Sequence, residues 1–461
     1  MIRSTQKGIF FLEKILIVFS CFFIAAAAVF ASPSQEKTKV RSFSLEAVRE
    51  FAVQHNYDTI KSRLDVESAR KKLRETVASG LPQISSSLNY LNNLELATVL
   101  IPNFFEGKFD EKIPVQFGTQ HNTTFTIQVN QLLFNGSYFV GLKTSSIYRR
   151  LADQGLERSK LDVQEIVSDT YFLILVSEES EKIMQASLDN LRKTHLEVKE
   201  LYKEGFLAET DADMIQVSLT SLKNTLQALR RQIDIGYNLL KFQMGMSLDQ
   251  KIELEDSLNS FISKLSPEEW FETEFKLLEN LDYQLLKTQE KLAEMALKNE
   301  RAKYLPTLSA FYTYQRNAYQ DKFDLFGEDI NWFRAQILGV NVSIPIFKSG
   351  AQAARVTQAK LEVQKARETR IQAGEGLRLE MKRTISGLES AYENYLNMKD
   401  NMKLSEKIYN KTLEKYKEGV SSSMELIQAH DKYLNSQSLY VQALSGLLSA
   451  KNQLDRITHN Y

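Results

Sequence analysis

Two stretches of the chain, residues 137–203 and 350–417, are predicted to be helices of unusual length. Their apolar residues recur at alternating spacings of four and three, as in coiled coils. These apolar positions are Met184, Leu188, Leu191, His195, Val198 and Tyr202 in the first stretch, and Met381, Ile385, Leu388, Tyr392 and Tyr395 in the second. At about 1.5 Å of rise per residue each helix would be about 100 Å long, which no compact domain requires. We therefore expect an elongated helical shaft.

Each long helix belongs to one copy of a two-fold repeat. Segments around Pro82, Gly136 and Gly205 in the first half are matched by segments around Pro306, Gly350 and Gly419 in the second half. The most literal match is a Tyr-Lys-Glu-Gly sequence that ends at each of the last two glycines, Gly205 and Gly419. Each copy reads as helix, strand, long loop, strand, very long helix, turn and helix.

The shorter helices can be stacked to match the long ones. Helices are predicted over 44–80, from Gly205 to about Gly245, over 267–303 and over 420–457. The helix ending near Gly245 and the helix 267–303 would lie end to end along one long helix, and the other two would stack in the same way. The predicted divisions are a first repeat over 32–245, an equatorial segment over 246–266 and a second repeat over 267–461.

Four segments of the repeat alternate apolar and polar residues over about ten positions, which is the length of a strand that crosses a bilayer at a tilt. The polar positions are almost uncharged, which is typical of a membrane barrel with a wet interior. The predicted lipid-facing residues are Ile84, Leu88, Tyr90, Phe125, Ile127, Val129, Leu308, Tyr312, Tyr314, Val340, Val342 and Ile344. The connecting loops, roughly 95–120 and 316–331, are the expected external surface.

The same alternation is found in a half-buried antiparallel sheet of a soluble domain. The strand length, the repeat and an N-terminal export signal favour the membrane interpretation. Four strands cannot close a barrel, and open strand edges are not permitted in lipid. Two chains would give eight strands and a filled interior, whereas three give twelve strands and a lumen, so a homotrimer is the smallest assembly that makes a conduit.

The first 31 residues have the organisation of a secretory signal peptide. Basic residues precede an apolar run from Ile15 to Ala31, which ends in small residues. An uncleaved membrane anchor is the alternative. The only cysteine, Cys21, lies in this segment, so the mature chain is predicted to have no disulfide. Lys plus Arg and Asp plus Glu balance at 58 each, which gives no indication of a nucleic-acid partner.

Taken together, these segments resemble the TolC-like outer-membrane efflux protein family. The resemblance rests on Leu45 to Val48 as an opening helix motif, on Leu81-Pro82 and Leu305-Pro306 as helix-to-strand junctions, and on the two Tyr-to-Gly turns. It implies a mixed α and β fold with four antiparallel transmembrane strands and long coiled-coil-like helices per chain. Three chains would form a 12-stranded β-barrel in the outer membrane, continued by an α-helical barrel in the periplasm.

The resemblance also implies partners and candidate sites. The expected partners are a periplasmic adaptor (membrane fusion) protein, an inner-membrane transporter, outer-membrane lipid and two further copies of the chain. Tip residues expected to contact the adaptor are Tyr202, Gly205, Phe206, Tyr416, Gly419 and Val420. Asp211 and Glu425, six positions after the tip glycines, would form the periplasmic gate. The chain departs from the family pattern at Gln428, where an acid often stands, and at Ser421, where a basic residue sometimes stands.

Asp211 and Glu425 also fit a simpler interpretation, as acids in the first turn of a helix where the helix dipole favours them. The two interpretations are compatible.

The expected function is the exit duct of a tripartite efflux or type I secretion system. A periplasmic coiled-coil structural protein without a pore is the alternative, although four amphipathic strands argue against it. No catalytic motif or clustered metal ligand set is evident, so we expect neither an enzyme nor a cofactor. The sequence does not decide between small-molecule and protein cargo.

Overall fold

The computed structural model describes residues 40–104, 107–263, 270, 275–323 and 330–458. The predicted signal peptide and the predicted start of the helix 267–303 lie outside these residues. The elements of the first half are β1 (Arg41–Phe43), α1 (Leu45–His55), α2 (Tyr57–Ala78), β2 (Gln83–Asn92), β3 (Thr98–Asn103), β4 (Lys108–Gln116), β5 (His121–Asn135), α3 (Gly136–Lys203) and α4 (Glu209–Gln243). Those of the second half are β6 (Ile252–Leu254), α5 (Leu258–Ile262), α6 (Leu281–Ala302), β7 (Thr307–Gln320), β8 (Trp332–Ser343), α7 (Ala351–Lys417) and α8 (Ser423–Thr458).

The two long helices are confirmed. α3 has 68 residues and α7 has 67, within one residue of the predicted bounds. Each helix ends in a turn and is followed by a returning helix, α4 or α8. The paired helices bury two apolar clusters, one at mid-shaft around Tyr171 and Leu444 and one nearer the turns around Leu191 and Ile215. Among the described helices, none is apolar enough over a sufficient length to cross a membrane.

The predicted helix over 44–80 is broken at Asn56. The Asn56 side chain accepts hydrogen bonds from the N–H groups of Asp58 and Thr59 and so caps the start of α2. Its amide group also donates to the Gln243 carbonyl oxygen at 2.6 Å, at the end of α4. One side chain thus serves two helix termini, which a continuous helix would not allow.

This contact also shows that the predicted stacking partners were wrong. α4 is continued by α2 rather than by α6. The end of α8 instead meets the start of α6 beside α3, where Arg456 pairs with Asp162 at 2.9 Å and Arg158 pairs with Asp282 at 3.0 Å. The predicted helix 267–303 is not continuous, since residues 275–280 are not helical and α6 begins at Leu281, where Asn280 caps it by accepting from the Tyr283 N–H.

Between the repeats, the equatorial segment is tied to the start of the chain. β6 pairs in parallel with β1, and the Asp256 carboxylate accepts from the Leu45 N–H and the Tyr171 hydroxyl, both at 2.8 Å. Burial raises the pKa of Tyr171 well above its ordinary value. The phenol therefore remains a hydrogen-bond donor across the physiological pH range.

The four long strands form one antiparallel sheet in the order β2-β5-β7-β8. Its strands contain 10, 15, 14 and 12 residues, at least as long as the crossing length expected from the sequence. β7 runs to Gln320, so the second outer loop begins later than the predicted position 316, whereas β8 begins at Trp332, next to the predicted loop end at 331. The first outer loop contains a hairpin of its own, β3 and β4. β2 and β8 are left as free edges in the single chain.

Candidate functional site at the helix tips and the sheet face

Both helix turns at the far end of the shaft are built in the same way. Gly205 and Gly419 adopt the left-handed conformation, with φ of 84° and 71°. In each turn the residue after the glycine donates its N–H to a carbonyl five positions earlier, so that Phe206 bonds to Leu201 and Val420 bonds to Lys415. The repeated Tyr-Lys-Glu-Gly sequence is therefore explained by glycine-closed helix ends.

The predicted tip residues differ in accessibility. Phe206 and Val420 are 74% and 72% exposed at the apex of their turns, and Tyr202 is partly exposed. Tyr416 is buried, with 9% exposure, although it is the repeat counterpart of Tyr202. The two turns thus present one apolar side chain each to solvent, and only one of the two tyrosines.

The predicted gate acids both bind the backbone at a helix start. The Asp211 carboxylate accepts from the Ala208 N–H at 3.2 Å, and the Glu425 carboxylate accepts from the Ser422 N–H at 2.9 Å. The Ser421 hydroxyl also donates to Glu425 at 2.6 Å. The hydrogen bonds from Ser421 and Ser422 hold the pKa of the exposed Glu425 carboxyl below its usual range. This geometry fits the capping interpretation, while the role of either acid as a gate stays a prediction.

Asp211 has a second contact that joins the two hairpins. The buried Ser423 hydroxyl, on α8, donates to the Asp211 carboxylate on α4 at 2.5 Å. The Tyr416 hydroxyl oxygen lies 3.4 Å from the same Ser423 oxygen. Burial raises the pKa of Tyr416. We call Asp211, Tyr416 and Ser423 the tip latch.

Sequence reasoning missed Ser423, the member of the latch that bridges the hairpins. A serine at a helix start is ordinarily a local cap, and its position predicts no partner 212 residues away. A second link between the hairpins, Lys417 to Glu197 at 3.1 Å, has both side chains about half exposed. Exposed ion pairs contribute little, so the latch is the stronger connection.

A buried histidine lies above the latch. His430 is 1% exposed, and its Nε2 lies 3.1 Å from the Ser187 hydroxyl on α3. The ring of Tyr409, on α7, is centred 5.1 Å from the imidazole. Burial lowers the pKa of His430, partly opposed by the charge of Asp431. The neutral imidazole is therefore the form that the hairpin packing favours.

At the opposite end of the molecule, the strand register places the predicted apolar residues on one face of the sheet. Ile84 lies opposite Val129, and Val129 opposite Tyr312. The same parity continues through Leu308 and Val342, which are paired across β7 and β8. Eleven of the twelve predicted residues fall on this face within strands. Ile344 is the exception, since β8 ends at Ser343.

The other face of the sheet is mainly polar. It carries Ser85, Gln128 and Thr313, which follow one another across β2, β5 and β7, although the same row ends at the apolar Ile337 of β8. Phe311 is an apolar exception that sequence alternation did not predict. Its ring lies over Gly339, where a Cβ atom would come within 2.6 Å of the Phe311 ring. The glycine therefore provides the space that this ring occupies.

Comparisons with known proteins agree with the long paired helices and the four-stranded sheet. Residues 277–459 match the family model described as outer membrane efflux protein. This part of the chain is similar to that family. The TolC-like resemblance drawn from the sequence is confirmed, and the match covers most of the second repeat. A comparison with curated protein sequences gives no match.

Solved structures of outer-membrane proteins share the fold over nearly the whole chain. The outer membrane protein VceC of Vibrio cholerae is 14% identical, with a TM-score of 0.67 over 90% of this chain and 95% of that one. The CmeC outer membrane channel of Campylobacter jejuni is 16% identical, with a TM-score of 0.69 over 93% and 90%. The MtrE outer membrane channel of Neisseria gonorrhoeae, described as an open state, is 15% identical, with a TM-score of 0.67 over 93% and 94%. At these identities the likeness establishes the fold.

Proposed function

We propose that the protein is an outer-membrane channel, the exit duct of a tripartite efflux or type I secretion system. Three chains would close a 12-stranded barrel in the outer membrane and continue as a helical barrel in the periplasm. The observation that carries the proposal is the sheet. It has an exposed apolar face, a polar face and two unpaired edge strands, and every residue of β2 is exposed in the single chain.

In the single chain, the apolar face of the sheet is exposed and the two edge strands have unpaired backbone groups. Ile84 and Leu88 on β2 are 73% and 68% exposed, and Leu338 on β8 is 80% exposed. Lipid would cover these side chains, but lipid cannot satisfy the unpaired backbone groups at the sheet edges. Pairing β2 of one protomer with β8 of the next satisfies these backbone groups, and three copies give a lumen lined by the polar face.

The periplasmic end would be closed by the tips. We propose that the tip latch holds the second hairpin against the first, so that opening requires loss of the hydrogen bond from Ser423 to Asp211. Glu425, exposed beside it, would be repeated three times around the mouth and favour cations. The apolar Phe206 and Val420 side chains at the turns are the proposed contacts for a periplasmic adaptor.

The remaining predictions stay part of the proposal. An inner-membrane transporter would supply the energy, since the family with which the second repeat aligns is one of channels rather than enzymes. We keep the repeat divisions 32–245, 246–266 and 267–461, and cleavage of the signal peptide after residue 31.

The test is the behaviour of the purified mature chain in detergent and in planar bilayers. We expect a particle of three chains by light scattering and discrete conductance steps. A pore-free coiled-coil structural protein would leave the bilayer sealed. A monomeric chain that also gives no conductance would refute the proposal.

A further inference from the structure

Two arginines stand side by side on the mainly apolar face of the sheet. Arg316 of β7 is directly opposite Arg334 of β8 in the strand register. Their parity is that of Tyr312 and Leu338, so both side chains leave the sheet on the predicted lipid side. Both are exposed. Sequence alternation did not distinguish them, because they lie beyond the strand segments predicted from it.

The arginine pair lies near the external edge of the apolar band. From the Leu308–Val342 pair at the shaft end, β7 runs eight residues to Arg316. At about 3.3 Å per residue and a tilt of about 40°, this is a height of about 20 Å. The apolar band of such barrels is about 25 Å tall. The Arg316 backbone is thus about 5 Å inside the external edge of this band, a distance that an arginine side chain can span to reach the lipid headgroups.

Aromatic side chains hold one guanidinium in place. Arg316 Nε donates to the Tyr314 hydroxyl at 2.7 Å, and its guanidinium carbon lies 5.9 Å from the Tyr314 ring centre. Together with Leu88, Phe125 and Trp332 these two residues line a shallow recess in the surface. A charged group therefore borders an apolar groove on the lipid side of the sheet.

The two neighbouring positive charges would be stabilised by a bound anion. Like charges directly opposite one another across strands destabilise a sheet. Within the described part of the chain, neither Arg316 nor Arg334 forms an ion pair with an acidic side chain. The planar guanidinium fork matches the geometry of a phosphate group and binds it through two parallel hydrogen bonds.

We propose that Arg316 and Arg334 bind the headgroup phosphate of a phosphorylated lipid in the outer leaflet, with an acyl chain in the recess beside Leu88 and Phe125. This inference rests on the proposed function, because it needs the sheet to lie in the membrane. The recess favours a lipid over a free phosphate ion, because only a lipid can fill the apolar groove and neutralise the two arginines at the same time.

The experiment compares one lipid with and without its phosphate. Purified, delipidated channel is titrated with a phosphorylated glycolipid or with the same lipid after phosphatase treatment, and retained lipid is counted by native mass spectrometry. The wild type should retain the phosphorylated form at least about tenfold better, as expected for charge-assisted hydrogen bonds. The double variant Arg316→Gln/Arg334→Gln should lose this preference. Arg63→Gln, which removes one exposed charge from α2, should keep it.

Three outcomes would overturn the proposal. These are equal retention of the two lipids by the wild type, an unchanged preference in the double variant, and full displacement of the lipid by millimolar inorganic phosphate. Should the double variant not fold, the wild-type comparison alone still decides. Conductance is recorded on the same samples. A wild-type channel that conducts but shows no lipid preference refutes only the lipid site, whereas a wild type that neither trimerises nor conducts refutes the proposed function.

Discussion

Ser423→Ala should open the periplasmic tip. The variant removes the hydroxyl that donates to Asp211 at 2.5 Å and leaves the helix otherwise intact. Hydrogen bonds to charged groups contribute about 1.5–3 kcal/mol. Asp211 is only half-buried and regains water when the bond is lost, so we take the lower end, about 1.5 kcal/mol per protomer.

That free energy changes the ratio of closed to open tip about tenfold in each protomer. If the three protomers open together, the contributions combine to about 4–5 kcal/mol, so the ratio of closed to open channel should fall about a thousandfold and the open probability should rise. The assay is single-channel recording in planar bilayers, with open probability and the conductance of the resting state as the measured quantities. Thermal unfolding checks that the variant remains folded.

The matched control is Ser421→Ala. It removes the same hydroxyl two residues earlier, but that hydroxyl bonds to Glu425 within its own hairpin. We expect this variant to rest at the wild-type conductance. A Ser423→Ala channel that also rests at the wild-type conductance, or equal opening of both variants, would contradict the role of Ser423 in closing the tip.

Three further predictions concern charge and burial. Glu425→Gln should lower cation preference, measured as the reversal potential in a salt gradient, and an unchanged potential would remove Glu425 from the gate. Because burial lowers the His430 pKa, its contribution to stability is present above the unfolded value of about 6.5 and is lost as the pH falls toward the lowered folded value. Melting temperature should therefore fall between pH 7.5 and 5 less steeply in His430→Leu than in wild type, and parallel curves would contradict this. Val129→Arg, near mid-height on the apolar face, should cost about 2–4 kcal/mol of stability in lipid by equilibrium unfolding, and Gln128→Arg on the polar face much less. Equal losses would mean that the faces are assigned wrongly.

The elements that sequence reasoning predicted well are those specified by local pattern. α3 and α7 carry a sustained heptad spacing, which leaves no competing structure. The glycines that end them are required by left-handed backbone geometry, and therefore both copies of the turn could be found. Strand parity was also recoverable, because the period of two survives uncertainty about where a strand begins.

The errors arose where one side chain forms a hydrogen bond to a distant part of the chain. No local sequence pattern around Asn56 predicts that its amide donates to the Gln243 carbonyl. Therefore both the break between α1 and α2 and the stacking of α2 on α4 were missed. Ser423 is the same case at the tip. Ile344 was assigned to β8 because the alternation continues past the last residue paired in the ladder, Ser343.

Cross-linking of the free sheet edges tests the central claim most directly. The chain has one cysteine, Cys21 in the predicted signal peptide, so cysteines introduced at Leu88 of β2 and Gln336 of β8 would be the only thiols of the mature protein. Adjacent strands lie about 4.8 Å apart, within the span of a short thiol cross-linker applied to intact outer membranes. If β2 of one protomer meets β8 of the next, the double variant gives a covalent trimer on a denaturing gel and each single variant gives none. A double variant that stays monomeric under the same treatment would contradict barrel closure by three chains.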